Sequence, residues 1–267
     1  VTLAGWVDVR RDHGKLIFID LRDVSGKVQM VVLPNHEEAQ RVAQEIRPEW
    51  VIKVKGLVNK RPEKMIKADQ LNGDLEMEVL DIEVLSQAKE MPFDPDTELN
   101  LDTYLDHLPL TLRGDRPKAI FKVQANIIRA FREFFTKEEF TEIQAPKLIG
   151  DDAEGGANSF DIEYFGHTAH LAQSPQFYKQ IMVGIFEKVF TTGNVYRAEK
   201  HSTSRHLNEY TSIDAEMGFI TDHTDVMKTE NRLLKYIMDE LKKCCQKEFD
   251  FMGTEIPTVL ENIPALK

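Results

Sequence analysis

Cysteine is almost missing from this chain: of 267 residues only Cys244 and Cys245 are cysteine. They are neighbours in a stretch with helical periodicity, where adjacent side chains point apart, so a structural disulfide is not expected and both read as reduced thiols. Long apolar runs are missing too. No segment approaches the roughly 20 apolar residues a membrane-spanning helix requires, and the N-terminus has no basic region followed by an apolar one. A soluble, cytosolic protein is expected. Basic residues are the scarcer charge, 34 against 45 acidic, giving a formal net charge of -11. That argues against a non-specific nucleic-acid binder, which needs a basic face for phosphates, but leaves a specific one open. There is no internal repeat and no low-complexity segment. What remains, 42% hydrophobic and 30% charged residues, is an ordinary globular mixture, long enough for a sizeable core and two domains.

The charge is unevenly spread. Asp74 to Asp102 is dense in carboxylates, whereas Val1 to Pro34 is nearly balanced, with Arg10, Arg11, Lys15, Arg22 and Lys27 available for a local basic patch. The first third of the chain alternates and breaks like strands: TLAGWVDVR, KLIFIDLRD and KVQMVVL, separated by turns at Asp12-His13-Gly14 and Ser25-Gly26. Asn35 to Glu45 has helical content, and WVIKVKGLV and DLEMEVLDIEVL supply two more strands. The order strand-strand-strand-helix-strand-strand predicts a five-stranded OB β-barrel, whose open face binds oligonucleotides. On the second strand Ile17 and Ile19 alternate with Phe18 and Asp20, which puts Phe18 on a mixed face suited to stacking on a base.

Ser86 to Leu110 shifts abruptly to prolines and acids without apolar period and reads as a linker. Beyond it, Ile120, Val123, Ile127, Ile128, Phe131, Phe134 and Phe135 recur at helical spacing, predicting a long amphipathic helix. FTEIQAPKL follows, then a loop with Gly155-Gly156. QSPQFYKQ then opens a helix, with Ser174 as N-cap, Pro175 at the first helical position, and Gln176 and Lys179 three apart on one face. Val226, Leu233, Leu234, Ile237, Met238 and Leu241 make one apolar stripe of a packing helix between Asp222 and Gln246. The predicted domains are 1–86, a linker or hinge over 87–115, and 116–267.

The most informative stretch is VYRAEKHSTSRHLNEYTSIDAEMGF, Val195 to Phe219. Apolar flanks around a polar centre predict two antiparallel strands joined by a long loop. They aim Arg197, Glu199, Arg205 and His206 at one concave site. Two arginine forks with a histidine suit a polyphosphate, and a carboxylate between them suits a base's exocyclic amine. In an arbitrary hairpin the same residues would be a solvated charged surface.

This string resembles motif 2 of the class II aminoacyl-tRNA synthetases, in the version carried by the aspartyl enzymes of archaea and eukaryotes. The resemblance implies an α+β protein: an OB barrel followed by an antiparallel sheet flanked by helices. It implies that Arg197 holds the α-phosphate of ATP and the amino acid's carboxylate, that Glu199 meets the adenine amine, and that Arg205, His206 and Leu207 complete the ATP site. GWVDVRRDHGKLIFIDLRD…VQ resembles the anticodon-binding domain of the same enzymes, which implies Phe18 stacking on an anticodon base, Gln29 reading a base edge and Arg11 on phosphate or base. The helix, FTEIQAPKL and Pro146 resemble motif 1, implying a homodimer, although Glu138-Glu139 stands where many members have a glycine. The Glu-Gly-Gly loop implies Glu154 on the substrate's α-ammonium group. Gln-Ser-Pro-Gln-x-x-Lys implies Gln176 at the α-amino end and Lys179 on the side-chain carboxylate of aspartate.

The expected activity is aspartate-tRNA ligation with ATP and Mg²⁺, on an aspartate-accepting and, as an open choice, asparagine-accepting tRNA. The glycine-rich segment ending in arginine that motif 3 requires is not found before Lys267, and no metal ligands are assigned within the chain; both are expected beyond it. Two alternatives stand beside this reading: an asparaginyl-type synthetase or paralogue, and a non-catalytic OB-type RNA-binding protein with a degenerate synthetase domain.

Overall fold

In a computed structural model the described residues are 1–68, 72–93, 97–151, 158–201, 203 and 206–261. The chain divides into two compact units, Val1–Glu98 and Leu99–Lys267, each with its own core.

The first unit contains strands β1 (Thr2–Asp12), β2 (Ile17–Arg22), β3 (Lys27–Val32), β4 (Val51–Lys60) and β5 (Leu75–Ser86), with helix α1 (Glu37–Glu45) between β3 and β4. The five strands close a barrel in the order β1-β2-β3-β5-β4, β4 returning to pair with β1. Alternation along β2 sends Ile17, Ile19 and Leu21 inward, where they meet Val7, Met30, Val32, Ile52, Val54, Met77 and Val79. Ala39, Ala43 and Ile46 from α1 and its end join that core. Closing five strands requires sharp local bends, and the register slips between Val7 and Val9 and between Lys55 and Gly56 supply them. Gly56 also lets β4 lie close on β5: a Cβ there would stand 2.1 Å from the Glu78 carbonyl oxygen. The expected strand order and the helix position are observed.

The second unit begins within the stretch expected to be linker. Helices α2 (Leu101–Asp106) and α3 (Leu108–Thr111) form there, because Asn100 caps the Thr103 N–H at 2.8 Å and Leu101, Tyr104, Leu105 and Leu108 recur at helical spacing. The long helix α4 (Asp115–Lys137) follows, then the two-residue strands β6 (Thr141–Glu142) and β7 (Leu148–Ile149), β8 (Asp161–Tyr164), β9 (His167–Leu171), α5 (Gln176–Phe186), β10 (Lys188–Tyr196), β11 (Glu209–Met217), α6 (His223–Cys244) and α7 (Gln246–Met252). Two sheets form, β11-β10-β6 and β7-β9-β8. The expected antiparallel character holds for β10 with β11, but β6 joins β10 in parallel. In FTEIQAPKL the strand ahead of Pro146 is only β6, and β7 begins after it at Leu148.

The core of this unit is aromatic. Phe131, Phe134 and Phe135 of α4 meet Phe140 and Phe190, with Phe135 stacked on Phe190 at 5.5 Å, and Leu233, Ile237 and Leu241 of α6 close it. Cys245 is buried and Cys244 exposed, both free. At the end of α4 the Glu138 N–H donates to Phe134 O and the Phe140 N–H to Phe135 O, a turn that places Glu139 at φ 64°. This is the left-handed conformation that glycine adopts at helix ends, so the glutamate found there is strained. β11 ends at Met217, and Phe219 turns with φ 55°. Among the described residues no helix is long and apolar enough to cross a membrane.

Candidate functional site

β10 and β11 pair without a break from Lys188 opposite Met217 to Tyr196 opposite Glu209. Side chains directly opposite each other share a face, so Thr191 and Gly193 of β10 lie on the same side as Asp214 and Ser212 of β11, and Glu216 follows by alternation. Helix α5 lays Lys179 onto that side. The lysine is only 5% exposed, and its Nζ lies 3.2 Å from Asp214 Oδ1 and 3.5 Å from Glu216 Oε2. Gln176, one helical turn before, donates from Nε2 to Glu216 Oε2 at 3.2 Å, and the Ser212 hydroxyl donates to Asp214 Oδ2. The expected common face of Gln176 and Lys179 is therefore the face applied to β11. Ser174, expected as the cap of α5, accepts from the Gln176 N–H at 3.1 Å, while Pro175 stands just outside the helix rather than at its first position.

Lys179 has partners that its local sequence does not reveal. Asp214 and Glu216 are far along the chain, and only the alternation of Ser212, Asp214 and Glu216 within one strand signals that three polar groups face one side. A buried ammonium held by two carboxylates keeps its position in the absence of a ligand. Either carboxylate can also trade places with an incoming anion.

Arg197 continues the hairpin one step past β10, its N–H donating to Asn208 O at 2.9 Å, so alternation puts it on the side of Thr191 and Gly193. The Asn208 amide, with its nitrogen turned inward, donates to the carbonyls of Arg197 and Glu199 at 3.2 and 3.1 Å and ties the two residues into one turn. The Ala198 N–H donates to Asn158 O at 2.8 Å, which brings the chain that follows the Gly-Gly loop beside this turn. His206 and Leu207 stand exposed in the hairpin loop, His206 Nδ1 lying 2.7 Å from the Thr203 hydroxyl. Glu154 and Arg205 lie outside the described residues. Among the described residues no group of three His, Cys, Asp or Glu side chains could hold a metal ion.

In the first unit, Arg11 faces Phe18, Phe18 faces Val31, and Asp20 faces Gln29 across neighbouring strands. Arg11, Phe18 and Gln29 thus share the outer side of the barrel, opposite the buried Ile17 and Ile19. Phe18 is half-buried, with His13 edge-on at 5.5 Å; Arg11 forks onto Asp20 at 2.9 and 2.8 Å, and Gln29 donates to Glu76 at 3.2 Å. An aromatic surface bordered by polar groups already oriented by neighbours suits an unstacked base and its edges.

A closed OB barrel in one unit, and in the other an arginine-bearing antiparallel hairpin crossed by a lysine-bearing helix, define a class II aminoacyl-tRNA synthetase, and the chain belongs to that family. The family model described as tRNA synthetases class II (D, K and N) matches residues 100–265, and the OB-fold nucleic acid binding domain matches residues 1–85. Within the family the chain is similar to aspartate ligases. It is 47% identical over its whole length to the aspartate–tRNA(Asp/Asn) ligase of Deinococcus radiodurans, covering 59% of that protein, and 40% identical over 96% of its length to the aspartate–tRNA(Asp) ligase of Pyrococcus abyssi, covering 58%. The chain thus spans about three fifths of the length of the curated relatives it matches. Among solved structures it resembles the asparaginyl-tRNA synthetase of Pyrococcus horikoshii complexed with asparaginyl-adenylate, with TM-score 0.85 at 33% identity over 94% of this chain and 57% of that one.

Proposed function

We propose that the protein is an aspartate-tRNA ligase, activating L-aspartate with ATP to aspartyl-adenylate and transferring it to the 3′ end of tRNA. The observation that carries this reading is Lys179, a buried cation on the sheet face whose side Arg197 shares, within a chain 47% identical to an aspartate ligase along its whole length. The α-carboxylate of aspartate attacks the α-phosphorus and pyrophosphate leaves, so the protein needs no covalent nucleophile. Its task is to position the reactants and neutralise charge.

In this reading Arg197 binds the α-phosphate and the amino acid's carboxylate, Glu199 accepts from the adenine amine, and Arg205, His206 and Leu207 complete the ATP site. Glu154 and Gln176 hold the α-amino end, and Lys179 exchanges part of its pairing with Asp214 and Glu216 for the substrate's side-chain carboxylate. Rejection of a neutral isostere follows, since the cation would lose a partner it needs. ATP is the co-substrate, and Mg²⁺ is the metal the family implies. Asp214 and Glu216, the acidic pair of the face, are engaged by Lys179 and do not suit a metal. Arg11, Phe18 and Gln29 meet the anticodon. We place the protein in the cytoplasm as a homodimer through α4 and the strand after it, where the exposed Ile120 and Phe121 are available.

The test is pyrophosphate exchange, assayed at the protein's full length. Exchange should depend on aspartate and not on asparagine; exchange driven by asparagine would overturn the substrate assignment. Phe18→Ala should weaken binding of aspartate tRNA by about 1–3 kcal/mol, the range for one lost base stack, with exchange unaltered. Undiminished tRNA affinity in the folded variant would count against the anticodon assignment, and charging of purified asparagine tRNA decides whether both tRNAs are substrates.

A further inference from the structure

Lys147 lies just before β7, and its backbone is fixed beside the end of β10. Its carbonyl accepts from the Ala172 N–H at 3.0 Å, and the Ala172 carbonyl accepts from the Tyr196 N–H at 3.0 Å. From there its side chain runs over Gly193. A Cβ added at Gly193 would stand 3.2 Å from Lys147 Nζ and 3.3 Å from its Cε. Gly193 is directly opposite Ser212, so a Cβ at 193 would point to the same side as Ser212 and, two residues on, Asp214. The Lys147 ammonium therefore occupies the space a side chain at 193 would fill, on the face where Lys179, Ser212, Asp214 and Glu216 meet.

That ammonium is half-buried and has no hydrogen bond or ion pair among the described residues. Burial pushes its pKa below the ordinary lysine range, and the Asp214 carboxylate draws it partly back. A cation so placed is stabilised when an anion arrives. The charges on the face lead to the same conclusion. Lys179 alone faces two carboxylates, Asp214 and Glu216, a surplus of one negative charge before any substrate. An aspartate side chain would add a second, whereas a second ammonium makes the empty face neutral and the occupied one only singly negative.

We propose that Lys147 is a specificity-determining cation of the amino-acid pocket: it offsets Asp214, so that Lys179 stays available to an anionic substrate side chain, and presents its own ammonium to that side chain. The proposal rests on the aspartate-activation reading. It explains why β10 carries a glycine at 193, since a side chain there would displace the lysine.

The experiment measures pyrophosphate exchange at the protein's full length for Lys147→Met, Lys147→Arg and Gly193→Ala, with far-ultraviolet circular dichroism to verify folding. Lys147→Met should raise the aspartate KM about tenfold or more while the ATP KM moves by no more than about twofold and inhibition by the neutral isostere asparagine is unchanged. Lys147→Arg should restore most of the loss. Gly193→Ala, which pushes the ammonium by a few tenths of an ångström, should raise the aspartate KM in the same sense but less. An unaltered aspartate KM in folded Lys147→Met, or equal weakening of aspartate and asparagine, overturns the role given to Lys147 and leaves aspartate activation standing. Should Lys147→Met fail to fold, an unaltered aspartate KM in Gly193→Ala overturns it instead. Absence of aspartate-dependent exchange in the unaltered enzyme overturns the activation reading and this proposal together.

Discussion

Replacing Lys179 by methionine keeps most of the side-chain volume and removes the one cation that lies within 3.5 Å of both Asp214 and Glu216 among the described residues. The lysine side chain is 7% exposed, those of Asp214 and Glu216 20% and 31%. Breaking a buried ion pair by deleting one partner costs about 3–5 kcal/mol; with the surviving carboxylates partly in solvent, about 2–3 kcal/mol is the reasonable share. For a unit the size of Leu99–Lys267, each kcal/mol moves Tm by about 2–4 °C, so a fall of about 5–10 °C is expected.

The sequence provides two separate probes. Both tryptophans, Trp6 and Trp50, lie in Val1–Glu98, whereas among the described residues six of the seven α-helices lie in Leu99–Lys267. Tryptophan fluorescence therefore reports the barrel, and circular dichroism at the helical wavelength reports chiefly the second unit. Lys179→Met should lower the dichroism midpoint and leave the fluorescence midpoint in place. Adding Asp214→Asn should recover part of the loss, a coupling of about 1–3 kcal/mol, because one of the stranded charges is then gone. A dichroism shift equivalent to less than about 0.5 kcal/mol, or strict additivity of the two substitutions, would refute the view that this ion pair holds α5 on the sheet.

Two further substitutions use the same pair of probes. Gly56→Ala would set a methyl 2.1 Å from the Glu78 carbonyl oxygen and 2.8 Å from Met77 Cε, so β4 must move off β5. A loss of about 2 kcal/mol or more is expected in the fluorescence transition alone; an unchanged fluorescence midpoint would show that the bulge has slack. Glu139→Gly relieves a left-handed residue whose side chain is exposed, and should raise the dichroism midpoint by the equivalent of about 0.5–1 kcal/mol, the strain removed exceeding the added entropy of the unfolded chain. A lower midpoint would mean the turn does not strain the glutamate.

Where periodicity is strict and burial one-sided, the residues announced their place. Ile17, Ile19 and Leu21 against Phe18 and Asp20 fixed both the strand and its outer face, and Phe131, Phe134 and Phe135 fixed the buried side of α4. The Gln-Ser-Pro-Gln segment likewise marked the start of α5. What the sequence did not disclose depends on long-range pairing. β6 has two residues and lies parallel to β10, some fifty positions on, and no local pattern encodes that partner. Helices α2 and α3 were hidden by the acids and prolines around them, since their short apolar spacing is below the length at which a period can be read. The group of Lys147, Lys179, Asp214 and Glu216 comes from three elements or their edges, and each residue alone looks like a solvated charge. Glu139 is the reverse case: the sequence showed an unexpected glutamate in a motif that resembles a glycine-containing one, and the structure supplied the reason for noticing it, a positive φ.

The unequal lengths of the strands around β10 bear on how this unit opens. β10 and β11 hold each other over nine residues and are joined by a local connection, while β6 holds β10 through Thr141 and Glu142 and one further bond from the Ile143 N–H to the Phe190 carbonyl. In a folded protein the protection of backbone amides against hydrogen exchange follows such differences, short and non-local pairings opening before long local ones. The hairpin should thus keep its amide protons longest and β6 should release them early, while Lys147, whose carbonyl accepts from the Ala172 N–H, keeps its place beside Gly193. A mildly destabilised molecule would then lose its β6 amide protection first and still hold Lys147, Asp214 and Glu216 around the pocket, so ligand affinity would outlast the pairing of β6.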